Sequence, residues 1–293
     1  MYLHDNAILF EETLSGASLE YSVNKEFIAK DYWAMQVLKE VTTRNTDLVF
    51  KGGTCLSKCY GVINRFSEDI DLGIPYEHAT EGMRKNIKRA VVDSTKALGI
   101  EITNLANTRS RREYNRYEIK PNTETHSLIL ETAVMTPACP YCLKTIQSFA
   151  GAFIEKQNAK LAEELGLLPF EVKSNSLERT FVDKIFIICD YYLSKEISAR
   201  QSRHIYDLYK LFNEVELNEV MRKLVETVRA QRAGGYGNFS ADAEVDLARV
   251  LRDIVASNLY RTDYEKVTTP LLYEDISYDE AISVLPKIAN FLG

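Results

Sequence analysis

The stretch FKGGTCLSKCYGVINRFSEDIDLGI, residues 50–74, joins two kinds of chemistry. At one end, Lys51-Gly52-Gly53-Thr54 puts glycines where a strand turns into a helix, so that backbone N–H groups can approach an anion such as a phosphate. At the other, Asp69 and Asp71 lie two residues apart, a spacing that points both carboxylates to one face of a strand. Adjacent carboxylates need a countercharge. Mg2+ supplies it well, being held by one or two carboxylates together with phosphate oxygens. The Thr54 hydroxyl can add a donor, while Lys58 and Arg65 can touch phosphate or pair with Glu68. Neither the G-x-x-x-x-G-K-[ST] loop nor the dinucleotide fingerprint is present. Glycine turns and paired acids are each common alone. Their connection by one short helix, with apolar residues alternating around the acids, is what makes the combination specific.

The surrounding pattern indicates what must position these groups. Residues 24–44 carry Phe27, Ile28, Tyr32, Met35, Val37 and Leu38 at helical spacing, and DLVF reads as a short strand feeding the glycine turn. A helix is expected over residues 55–63, and DIDLGI alternates like a half-buried strand. MRKNIKRAVVDSTKALG reads as a helix ending at Gly99; IEITNL, YNRYEIK and SLILETAVM read as strands. After residue 172 the segments turn helical, which predicts an α+β fold with parts at 1–172 and 173–293. RAGGYGNFSA, residues 232–241, reads as a loop.

With 293 residues, 45% of them hydrophobic and 27% charged, the chain can bury a sizeable core. It contains no apolar run of membrane-spanning length, and MYLHDNAILFEE lacks the order of a signal peptide, so a cytoplasmic location is expected. Five cysteines, an odd number, suggest no disulfide framework. CPYC at 139–142 has metal-ligand spacing but no second pair to complete a site, and reads as a turn. The net charge of −6 does not advertise a nucleic-acid binder, yet the basic residues from Arg84 to Lys120 outnumber the acids among them. In SLILETAVM, Glu131 is a lone acid among apolar residues, costly if buried without a partner, and is the preferred candidate for a further functional acid. Glu118, between Arg116 and Lys120, is the alternative and has an ion-pair explanation.

KGGTCLSK followed by RFSEDIDL resembles the signature of the AbiEii family of nucleotidyltransferase-like toxins, within the DNA polymerase β-type nucleotidyltransferase superfamily. LERTFVDKIFII and RHIYDLYKL resemble that family's third and fourth motifs, so the likeness covers roughly residues 25–215. It implies a mixed-sheet nucleotidyltransferase domain followed by an all-helical C-terminal domain. By the family pattern Gly52, Gly53 and Thr54 match the phosphate turn, Asp69 and Asp71 the metal-binding acids, Lys184 the lysine that reaches the triphosphate, and Asp207 the last motif's acid. Glu131 would complete the metal site or take a proton. Many relatives have Arg-Asp before Tyr-Asp-Leu where this chain has Arg203-His204, which leaves Arg203 in place and makes His204 a substrate donor or a core histidine. The resemblance implies Mg2+ or Mn2+, an NTP donor, the 3′ end of tRNA as acceptor and a separately encoded antitoxin. Alternatives are a protein or small-molecule hydroxyl as acceptor, and nucleotide binding without turnover.

Overall fold

A computed structural model describes residues 1–67, 69–121, 127–195 and 199–293. Seven strands form one mixed sheet: β1 (Val49–Lys51), β2 (Ile70–Gly73), β3 (Glu101–Ile102), β4 (Tyr114–Lys120), β5 (Leu128–Ala133), β6 (Tyr141–Ile146) and β7 (Phe170–Asn175), in the order β3-β4-β5-β2-β1-β7-β6. β1 runs antiparallel to β2 and parallel to β7, and β2 runs parallel to β5. The α+β expectation holds. The edge strand β6 carried no recognised alternation, and its burial shows why, because most of its residues are exposed or half-buried.

Helices cover one face of the sheet. α1 (Ala7–Tyr21) and α2 (Lys25–Arg44) pack together, and α2 also packs on α4 (Glu81–Ala97) and α5 (Phe149–Gln157); α3 (Gly52–Cys55) follows β1, and α6 (Ala159–Glu164) follows α5. Side-chain caps fix several starts: Asn24 accepts from the Glu26 N–H at α2, and Thr80 from the Met83 N–H at α4. β5 alternates buried Leu128, Leu130 and Thr132 with half-buried Ile129, Glu131 and Ala133, so one face enters the core and the other stays open.

The helix expected over residues 55–63 is shorter. α3 widens into a π-type turn at Leu56–Tyr60 and stops at Gly61, whose φ of +64° gives the left-handed cap. α7 (Leu177–Ser194), started by Ser176, then leads α8 (Arg203–Phe212), α9 (Glu219–Arg232) and α10 (Leu247–Ser257), with shorter helices at Tyr278–Ile282 and Leu285–Leu292. These build a second hydrophobic cluster around Phe181, Ile185, Leu208, Leu251 and Ile288. Leu56 and Ile63, which lie beyond the glycine turn, also belong to this helical cluster rather than to the sheet's own. Among the described residues no helix is long and apolar enough to cross a membrane.

Leu56 is fully buried where the turn-bearing segment meets the helical cluster. Leu56→Ala is expected to cost about 2–5 kcal/mol, read as a lowered midpoint in chemical denaturation with unchanged slope.

Candidate active site

Strand register assembles a row of charges across the open face. Lys51 of β1 is paired with Asp71 of β2, Asp71 with Glu131 of β5, and Glu131 with Arg116 of β4. The order is therefore cation, two carboxylates, cation. Arg116 Nη1 lies 3.9 Å from Glu131 Oε1. Burial, followed by the Glu131 charge, pushes the Asp71 carboxyl up to about 6, against the pull of Lys51. Asp69, one residue ahead of β2, adds further negative charge. Glu118 is paired with Ile129 and stands off this row, so register puts Glu131, not Glu118, beside Asp71.

The glycine turn is packed against these acids. Gly52 has φ +78°, and any Cβ there would overlap the Asp71 carboxylate. A Cβ on Gly53 would come within 2.7 Å of both Arg65 Nη2 and Ser67 Oγ. Both glycines are thus required by close approach. The Thr54 hydroxyl donates to Ser67 Oγ at 3.1 Å and does not line the carboxylate pocket. Lys58 turns away too, pairing with Asp31 at 2.6 Å and covering the Phe149 ring.

Behind the turn lies a buried ionic network. Arg65 grips Asp207 with two bonds, Nε to Oδ1 at 2.7 Å and Nη2 to Oδ2 at 2.9 Å, and Lys184 Nζ lies 2.7 Å from Oδ2. Burial alone would raise the Asp207 carboxyl, but Arg65 and Lys184 overcome it and hold the group well below the usual carboxylate range. Burial lowers Lys184, and the Asp207 charge opposes that shift. With 5% exposure, Lys184 is not a surface lysine whose head reaches into water. His204 Nδ1 lies 3.0 Å from Lys184 Nζ. Burial and the neighbouring cations push the imidazole well below its ordinary value, so it is neutral. Lys184 can only donate, so Nδ1 accepts and the hydrogen-bond network assigns the ring proton to Nε2.

These groups surround one pocket of about 250 Å³. Gly52, Gly53, Asp69, Asp71 and Glu131 line one side; Lys184, Arg203 and His204 line the other. Asp207 stands behind this lining. Among the residues to which sequence reasoning gave no role, Lys51, Asn175 and Arg232 also line it. Lys51 adjoins the glycines in the same motif and could have been read as the carboxylates' countercharge. Arg65 was visible only as an undecided cation, since its partner Asp207 is 142 residues away, and Glu68 lies outside the described residues. Nothing local marks Arg232, which is oriented by Asp190 at 2.6 Å.

The donor set is all carboxylate oxygen, which suits Mg2+ or Mn2+ rather than a soft metal. Among the described residues no three His, Cys, Asp or Glu side chains converge into a metal-binding group. Mg2+ takes one or two carboxylates and draws its other ligands from substrate phosphates and water, so it needs no such group, and burial with the Glu131 charge leaves Asp71 a carboxyl that a cation would relieve. Buried Asn175 Oδ1 has no protein partner and lines the same pocket, leaving an acceptor for a ligand donor.

Removing the Asp207 charge leaves Arg65 and Lys184 buried together without a counterion. Asp207→Asn is expected to cost about 3–5 kcal/mol at neutral pH. A carboxyl depressed by folding stabilises fully above its unfolded value near pH ~4 and loses that contribution as pH falls further. The gap between wild type and Asp207→Asn in urea denaturation should therefore narrow toward acid.

A search of curated proteins finds no match to this chain. A family model described as nucleotidyl transferase AbiEii toxin, type IV TA system, matches residues 36–284, which span the glycine turn, the paired carboxylates and the buried lysine network. The chain belongs to the AbiEii family of nucleotidyl transferase toxins of type IV toxin–antitoxin systems.

Proposed function

We propose that this protein transfers a nucleoside monophosphate from an NTP to the 3′ end of tRNA, with Mg2+ or Mn2+, and so inhibits translation and growth. The observation that carries the reading is the registered row Lys51, Asp71, Glu131 packed against the Gly52–Gly53 turn. The turn's N–H groups and the Lys184, Arg203 and Arg232 cations would hold the triphosphate. His204 Nε2–H would donate to a phosphate oxygen. Asp69 and Asp71 would hold the metal, which when bound supplies positive charge opposite the phosphate oxygens. Glu131 would take the proton of the acceptor hydroxyl as its oxygen bonds to the α-phosphorus, while the bond to the leaving pyrophosphate breaks. Exposed Arg109, Arg111 and Arg112 precede β4, whose Arg116 flanks Glu131, and they support a nucleic-acid acceptor. A separately encoded antitoxin would restrain the activity in the cytoplasm.

The direct test incubates the protein with Mg2+, total tRNA and each α-labelled NTP separately. Label on tRNA from one or two NTPs, lost in Asp71→Ala, is the expected result. Nucleotide binding without label on tRNA would rule out this acceptor and redirect the search to protein and small-molecule hydroxyls.

Asp71 also makes a prediction about stability. Burial and the Glu131 charge push its folded carboxyl up to about 6, so ionisation costs the fold stability as pH rises from ~4 through that value, and the cost persists above it. Asp71→Asn should stabilise the EDTA-treated protein at pH 7.5 by on the order of 1–3 kcal/mol. Mg2+ should raise the melting temperature of wild type more than that of the variant.

A further inference from the structure

The carboxylate pocket, at about 250 Å³, is smaller than the roughly 300–1,000 Å³ of sites that enclose a whole small-molecule ligand. Part of a nucleotide seated on the glycine turn must then lie outside it. Arg65 and Ser67 line this pocket and also a second cavity of about 190 Å³.

The second cavity is built from segments far apart in sequence. α2 contributes Phe27 and Lys30, the link after the glycine turn contributes Phe66, and Tyr273 comes from near the C-terminus. Phe27 and Phe66 stack at 4.1 Å between centroids and 24° between planes. Lys30 Nζ lies 5.2 Å from the Phe66 centroid, and the Tyr273 ring 6.1 Å from that of Phe27. Tyr273 is 53% exposed, yet its backbone is fixed: its N–H donates to Asn64 O at 2.9 Å, and the Phe66 N–H donates to Leu271 O at 2.8 Å. The adjoining Glu274 is held by Tyr206 and Lys210. The chain thus holds a half-open aromatic surface beside its phosphate turn, with Ser57 and Asn64 supplying polar edges.

Phosphate transfer itself needs no stacked rings. Phe66 already has Phe27 stacked on it and Lys30 Nζ over its ring, so the open π surface is that of the half-exposed Tyr273, and base–aromatic stacking is a common way to use one. We propose that this cavity is a nucleobase subsite, in which Tyr273 stacks on the base of a nucleotide whose phosphates occupy the Gly52–Gly53 turn, and the Phe27–Phe66 pair forms its apolar wall. The proposal rests on the nucleotidyl-transfer reading for the phosphate's place, and the base belongs either to the donor NTP or to the acceptor's terminal nucleotide.

Tyr273→Ala and Tyr273→Phe separate these sources. If the base is the donor's, Tyr273→Ala weakens equilibrium binding of at least one NTP by about 5- to 150-fold, the range expected of one base–aromatic stack. Binding of inorganic triphosphate stays unchanged and Tyr273→Phe restores the NTP. If the base is the acceptor's, NTP binding is unchanged and KM for tRNA rises by a similar factor. An alanine variant that leaves both NTP affinity and acceptor KM unchanged overturns the proposal. A photoreactive nucleoside lacking phosphates tests the cavity independently of turnover. Labelled peptides containing Phe66 or Tyr273 support the subsite, and labelling elsewhere, or none, overturns it. Labelling at these residues in a protein that transfers no nucleotide would refute only the transfer reading.

Discussion

Asp207 is fully buried and nevertheless ionised, and much of the molecule is arranged around that fact. A carboxylate in such a place is tolerated only if its oxygens are occupied by cations, and Arg65 and Lys184 occupy both. Arg65 comes from the link between the glycine turn and the acid-bearing strand, whereas Lys184 and Asp207 come from α7 and α8. The ion pair therefore fastens the phosphate turn to the helical cluster. Leu56 and Ile63 reinforce the joint from the apolar side. The second-order effect is on His204, which burial and then the cations beside it keep neutral.

The opposite wall of the pocket follows the contrary rule. Asp71 and Glu131 are registered neighbours with too little positive charge around them, and the folded protein bears the repulsion. Such a row is maintained by the sheet's backbone hydrogen bonds and by apolar residues on the core face, which outweigh one unfavourable ionisation. One wall thus carries charge satisfied for stability, and the other carries charge left over for a ligand. A polyanion with its metal complements both, since phosphates meet the cationic wall and the metal meets the acids.

Legibility in the sequence followed distance along the chain. The turn glycines and Asp69 and Asp71 could be read because one short helix joins them and each has a local signature. Lys184 and His204 were named from motif resemblance, but whether each was surface, core or site depended on groups packed from elsewhere. Thr54 and Lys58 had the right residue types in the right segment, yet Thr54 donates to Ser67 and Lys58 pairs with Asp31. Lys58 lies within the π-type turn at Leu56–Tyr60, a departure from α-helical spacing that no periodicity of the segment reveals.

The sequence by itself determined the chemistry available: a close-approach turn, paired hard-oxygen donors, candidate cations, and an α+β order of elements. Tertiary structure decided which groups share a site. Sequence reasoning preferred Glu131 to Glu118 from its apolar neighbours, but that Glu131 stands beside Asp71 depends on strand register, a relation between segments that local composition does not encode. The pairing of Arg65 with Asp207 depends on chain closure over a long separation, and it turned an undecided surface-type cation into the buried joint of the molecule. Local propensity acts over a few residues, whereas these contacts are selected by packing two cores against each other.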